Sequence, residues 1–202
     1  KKKIKTIITA HNLEDQVETF FIRLSRGSGL QGLSSMKQIN KIDNNINLVR
    51  PLLDIKKKQL NRITNVIFGK FFKDPSNKDH KYLRTRIRNL KKTLEISGIN
   101  YDQIFKSIKN LASSRDTLDL YFNKTYSEIV SVKKKRALIN LKNINDLNQE
   151  MKIKILSKSI KDCSKRYYAP RTKKILNLVN KIYQKKNIKV TLGGCIIFKE
   201  NK

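Results

Sequence analysis

The strongest constraint on the fold is a short extended run that passes directly into a capped amphipathic helix. Residues 4–10 are largely apolar and rich in β-branched side chains, which predicts a buried strand. Asn12 follows as a helix cap, with Glu14 and Asp15 in the first turn, where the helix dipole favours negative charge. Val17, Phe20, Phe21 and Leu24 then fall at i, i+3, i+4 and i+7, an apolar stripe suited to packing on a sheet. At about 100° per residue, His11, Asp15 and Glu18 stand a third of a turn or more from that stripe, so this polar side is expected to face away from the core. Gly27 and Gly29 end the helix.

Further along, residues 46–49 read as another strand, closed by Arg50-Pro51, and residues 56–68 have helical spacing through Leu60, Ile63 and Ile67. Residues 73–79, "KDPSNKD", are a turn or loop by composition. Residues 82–94 form an amphipathic pattern with Leu83, Ile87, Leu90 and Leu94 on one face and Arg84, Arg86, Arg88, Lys91 and Lys92 on the others. A long helix is expected over 101–126, strands over 128–132 and 137–141, and helices over 146–163 and 171–184. A hairpin is expected from 188–192 and 195–198 around Gly193-Gly194. There is no internal repeat. The pattern predicts an α/β part over residues 1–80 and a mainly helical basic region over 81–202.

Charge narrows the function. Of 202 residues, 46 are Lys or Arg and 16 Asp or Glu, a net charge of +30 that points to a polyanionic partner. A lysine-rich composition alone does not explain the shortage of acidic residues. The excess is uneven: +8 over residues 1–69, +8 over 70–115, −2 over 116–131 and +16 over 132–202. Two cysteines, Cys163 and Cys195, make no disulfide framework and no metal-ligand set, and with only His11 and His80 as histidines no structural zinc site is expected. This usage suits a reduced, cytoplasmic compartment. No apolar run approaches the roughly 18 residues of a membrane span, so no membrane partner is expected.

Several clusters carry candidate chemistry, each beside a plainer account. His11 and Asp15 lie one helical turn apart and can reach one ligand, suiting proton transfer, Mg²⁺ held through water, or orientation of a nucleophile. Equally, they are a helix flank and a dipole partner. Arg26, Gly27, Ser28 and Gly29 offer backbone N–H groups beside a guanidinium, as phosphate binding requires, or simply a helix stop. Arg84, Arg86 and Arg88 can hold phosphates bidentately, or form a solvated face. The 133–136 run and the C-terminal lysines suit diffuse attraction to nucleic acid. Tyr167 and Tyr168, beside Arg166 and Arg171, stack on bases or belong to a core.

Taken in order, "TAHNLEDQVET", "RLSRGSGLQGL", "RPLL", "DPSN" and "RTRIRNL" resemble the successive signature segments of the tRNA(Ile)-lysidine synthetase family of PP-loop ATPases. The resemblance covers residues 1 to about 95, and the remainder is similar to the family's tRNA-binding region less tightly. It implies a partial Rossmann-like PP-loop ATPase domain that uses ATP and Mg²⁺. In the family, ATP adenylates the C2 oxygen of the wobble cytidine of tRNA(Ile) with a CAU anticodon, and free L-lysine displaces AMP to give lysidine. His11 and Asp15 would then be catalytic, without proton transfer assigned to either. Arg26, Gly27, Ser28 and Gly29 would form the floor of the site, and Asp74, Asn77, Arg84, Arg86 and Arg88 would face the substrates and the tRNA backbone. The oligomeric state is left open, a homodimer included.

Two departures matter. Asn12 stands where the family usually has a second histidine, and Glu14 where Asp is common. The family's ATP-binding S-G-G-x-D-S run occurs nowhere in the 202 residues. The expectation is therefore an N-terminally incomplete or defective enzyme with an exposed sheet edge, inactive alone but still able to bind tRNA. The alternatives are a tRNA thiolation enzyme of the same superfamily, disfavoured by the lack of C-x-x-C, and a non-enzymatic basic RNA-binding protein. The latter leaves His11, Asp15 and the Arg-Gly-Ser-Gly turn without a role.

Overall fold

A computed structural model describes residues 4–43, 46–70, 72, 74–164 and 169–199. The expected stacking residues Arg166, Tyr167 and Tyr168 lie outside them. The chain divides into two compact units, Lys1–Thr117 and Leu118–Lys202.

The first unit joins a small sheet to helices, an α/β arrangement. Its strands β1 (Thr6–Ile8), β2 (Ile39–Asp43) and β3 (Ile46–Val49) stand in the order β1-β3-β2. β1 runs parallel to β3 and β2 antiparallel to it. The expectation of a buried first strand is corrected: β1 pairs only with β3 in this sheet, and Ile8 is 69% exposed. The helices are α1 (Leu13–Leu24), α2 (Leu30–Leu33), α3 (Lys57–Phe68), α4 (Leu83–Asn89), α5 (Lys91–Ile96) and α6 (Tyr101–Ile129), which runs past the end of the unit.

The apolar stripe of α1 packs on a helix rather than on the sheet. Val17 and Leu13 are buried with Tyr101, Ile104 and Ile108 of α6, while Phe20 and Phe21 lie partly buried against that cluster and Leu24 is exposed. The single helix expected over 82–94 is two. It breaks at Leu90, whose N–H donates to Ile87 O at 3.1 Å and whose side chain is exposed. Within α4 the buried side chains are Thr85 and Ile87. α3 is held at its start, where Lys57 N–H donates to Glu14 Oε2 at 2.8 Å.

In the second unit β4 (Val130–Lys133) and β5 (Arg136–Ile139) form one hairpin, and β6 (Ile188–Leu192) and β7 (Cys195–Lys199) another. Its helices are α7 (Lys142–Asn145), α8 (Gln149–Ser164) and α9 (Thr172–Gln184). Leu156 and Ile160 of α8 pack with Ile175, Leu178, Val179 and Ile182 of α9 and with Ile188. Gly193 turns the second hairpin at φ +62°, and a Cβ there would stand 2.6 Å from Ile160 Cγ2. Cys163 and Cys195 are free thiols. Among the described residues no helix is long and apolar enough to cross a membrane.

Candidate functional site

α1 begins just beyond the C-terminal end of β1, the end at which parallel α/β sheets hold ligands. Asn12 caps it: Asp15 N–H donates to Asn12 Oδ1 and Asn12 N–H donates to Asp15 Oδ2, both at 3.0 Å. This reciprocal box gives Asn12 and Asp15 a structural task and shows why asparagine suits position 12. His11, half-buried, has Nδ1 2.9 Å from Thr9 Oγ1, which leaves Nε2 as the nitrogen without a partner among the described residues.

The polar side of α1 faces away from the apolar cluster, as its helical angle predicts, but is covered: His11 and Asp15 are half-buried and Glu18 is buried. Asn12, Gln16, Glu18 and Thr19 are buried, and Glu18 is 1% exposed. The reason is α4, which lies against this side and brings positive charge with it. Arg88 grips Glu18 through Nε–Oε1 at 2.7 Å and Nη2–Oε2 at 3.1 Å, and Arg84 Nε lies 3.7 Å from Glu18 Oε2. The hydrogen bonds to Glu18 hold the Arg88 guanidinium above its usual range against the opposing effect of burial, with Asp15 adding a smaller electrostatic pull. Arg88 Nη1 also donates to Asn77 Oδ1 at 3.0 Å. Beside this network, Tyr101 has a buried hydroxyl with no hydrogen-bond partner among the described residues and a phenol pushed up to about 12, chiefly by burial and then by the charge of Glu18.

The structure therefore joins Arg84 and Arg88 at one carboxylate, with Asn77 bonded to Arg88. Arg86 points away and is exposed. Asp74 is exposed, and its carbonyl accepts from Asn77 N–H and Nδ2–H, both at 3.2 Å. Glu18 is the residue that the sequence marked only as part of a polar face. Its usable signal is charge: an acidic residue in the first signature segment and an arginine triplet in the last.

The Arg26–Gly29 turn is a helix stop in its backbone. Gly27, at φ +66°, donates its N–H to Leu24 O at 2.9 Å, and Ser28 N–H donates to Arg23 O at 3.0 Å. Arg26 N–H donates to Arg23 O at 3.2 Å. Three of the four N–H groups read as phosphate donors are thus bonded within the chain. What the turn still offers a ligand is the Arg26 side chain and Gly29 N–H. No three His, Cys, Asp or Glu side chains converge on a metal position among the described residues.

Residues 1–94 match the family model of the PP-loop domain. The tRNA(Ile)-lysidine synthase of Wolbachia pipientis wMel is 33% identical over 198 residues, 97% of this chain and 46% of the relative. That of Orientia tsutsugamushi (strain Boryong) is 33% identical over 199 residues, 95% and 45% of the two chains. That of Rickettsia felis is 33% identical over 202 residues, 96% and 45%. The chain spans a little under half the length of these relatives.

Proposed function

We propose that the chain serves lysidine formation, a reading supported by the match of residues 1–94 to the PP-loop domain and by 33% identity to tRNA(Ile)-lysidine synthases over nearly the whole chain. The substrates in this reading are tRNA(Ile) with a CAU anticodon, ATP and free L-lysine, and the reaction is an ATP-dependent carbon–nitrogen ligation in the cytoplasm. The observation that carries it is the buried Glu18–Arg88 pair with Asn77, which ties three separate signature segments into one centre.

ATP would supply the adenylate that makes the cytidine oxygen a leaving group. The residues of this chain bind and orient around that step. Asp15 is bound into the cap of α1, so of the two candidate residues His11 is the one with a ring nitrogen open to carry a proton from the attacking amine. Glu18 fixes the plane of Arg88, and Arg84, whose side chain is 42% exposed, presents its guanidinium to substrate phosphate. Arg26, Gly27, Ser28 and Gly29 border the site, and Asp74, Asn77 and Arg86 flank the tRNA. The described side chains do not form a metal-ligand set, and the 202 residues hold no S-G-G-x-D-S run. In this reading residues 81–202 supply tRNA affinity.

The test is lysine incorporation. Labelled lysine, ATP and tRNA(Ile) are mixed with the 202 residues alone and with a fusion carrying an S-G-G-x-D-S-containing PP-loop segment ahead of residue 1. Labelled tRNA is expected only from the fusion, and His11→Ala within it should abolish labelling while tRNA affinity stays nearly intact. Labelling by the 202 residues alone overturns the expectation that they are inactive by themselves; an unlabelled fusion, or a loss of affinity matching the loss of activity, contradicts the assignment.

A further inference from the structure

The end of α2 and the segment after it, residues 32–37, are held by long polar side chains from three elements. Gln16 clamps Met36: its Nε2 donates to Met36 O at 2.9 Å and its Oε1 accepts Met36 N–H at 2.8 Å. Arg23 Nη1 donates to Gly32 O at 2.8 Å and to Ser35 O at 2.9 Å. Arg50 Nη1 donates to Lys37 O at 3.0 Å, and Arg115 Nη1 donates to Ser34 Oγ at 2.8 Å. Three guanidinium groups thus gather around one short loop.

Their charges are not balanced. Arg115, 4% exposed, has a carboxylate partner in Asp116 at 3.1 Å, but Asp116 is itself 58% exposed and shared with Lys37. Arg23 and Arg50 donate only to backbone carbonyls, and no described carboxylate lies within ion-pair distance of either. Arg50 Nε is buried and has no hydrogen-bond partner among the described residues. Burial holds both guanidinium groups below their usual range, and Arg50 and Arg115 push Arg23 down further. Arg115 is buried and Arg23 and Arg50 are half-buried, and carbonyl oxygens satisfy their N–H groups without cancelling the charge, which favours an anion.

We propose that Arg23, Arg50 and Arg115 form an anion site that takes a phosphate group. The planar fork of a guanidinium matches phosphate oxygens, and one phosphate supplies both the missing charge and an acceptor for Arg50 Nε–H. The site is separate from the Glu18–Arg88 centre, since Arg23 lies about 140° around α1 from Glu18. The phosphate comes from an RNA backbone or from free phosphate. The RNA source rests on the tRNA reading above; the site itself does not.

The wild-type chain is titrated with inorganic phosphate against chloride at matched ionic strength, following the Arg50 Nε–H resonance and the unfolding temperature. A saturable shift of that resonance and a rise in Tm are expected, with the Tm rise lost in Arg50→Gln and kept in Arg62→Gln, on the exposed face of α3. An unmoved resonance overturns the site even if Arg50→Gln fails to fold. An equal Tm rise in wild type and Arg50→Gln means an adventitious ion only, and overturns it too. tRNA binding across a salt series then separates the sources. If the phosphate belongs to RNA, Arg50→Gln reduces the slope of log K against log salt by about 1. An unchanged slope with the phosphate response lost assigns the site to free phosphate. Absence of tRNA binding removes the tRNA reading and leaves the phosphate result standing.

Discussion

At Glu18 the protein removes a carboxylate from water and repays the desolvation with two short guanidinium bonds and a second arginine nearby. Glu18→Gln keeps the shape and takes away the charge, which leaves Arg88 and Arg84 facing each other with no acid between them. Breaking a buried pair from one side costs about 3–5 kcal/mol, and Arg88 is 30% exposed, so a loss of roughly 2–3 kcal/mol is expected. Urea unfolding of the variant checks this. A loss below about 0.5 kcal/mol would mean that the pair behaves like a solvent-exposed salt bridge. Asn12 makes the complementary point. Its helix-capping role was legible, because a cap is decided by the few residues around it, whereas the burial of Glu18 was not. That burial depends on which helix arrives from 70 positions away along the chain, and helical angle alone carries no such information.

Elements show the same division between local and distant causes. β3 and the β6–β7 hairpin fall close to the spans expected from the sequence, because alternation and a Gly-Gly turn are local signals. β2 escaped notice, since its I-N-K-I-D segment is half polar and its partner supplies the pairing. The α1 stop gives a sharp element-level test. Gly27→Ala meets no neighbour but must hold φ +66°, so a loss of about 1 kcal/mol is expected. Gly32 has an ordinary backbone, yet a Cβ there would stand 2.5 Å from Ser28 Cβ, so Gly32→Ala must displace the turn itself and should cost more. Thermal unfolding of the two variants decides the order, and a reversed order would show that the turn yields easily. In the second unit, Tyr126 Oη donates to Asp162 Oδ2 at 3.0 Å, and burial first, opposed by Ser159 and aided by the Asp162 charge, pushes its phenol up to about 12. Because the folded chain keeps that proton longer than the unfolded chain, this contribution is intact below about pH 10 and fades as pH rises toward 12. Tyr126→Phe should be less stable at neutral pH by about 1 kcal/mol and flatter across that window, as read by denaturant midpoints. A curve parallel to wild type would place the high-pH loss elsewhere.

For the whole molecule one quantity acts in two directions. A net charge of +30 repels itself in the folded state and attracts a polyanion from outside. Salt screens both, with a Debye length of about 10 Å at 0.1 M. Raising salt should therefore stabilise the free chain against unfolding while weakening its grip on tRNA. The second effect should be linear in log salt with a slope of about −0.7 to −0.9 per phosphate neutralised. The steepest part of that dependence is expected from residues 132–202, which carry +16, so replacing Lys185, Lys186 and Lys189 by Gln should lower the slope. The same triple change should leave the Glu18–Arg88 pair, and hence the urea stability of the first unit, untouched. Parallel Tm and tRNA-binding series from about 0.05 to 0.5 M salt provide the check. Two curves moving in opposite directions are the signature of surplus charge acting on both states. If tRNA affinity holds constant while Tm climbs, the surplus charge does not face the RNA, and binding must rest on contacts that salt does not screen.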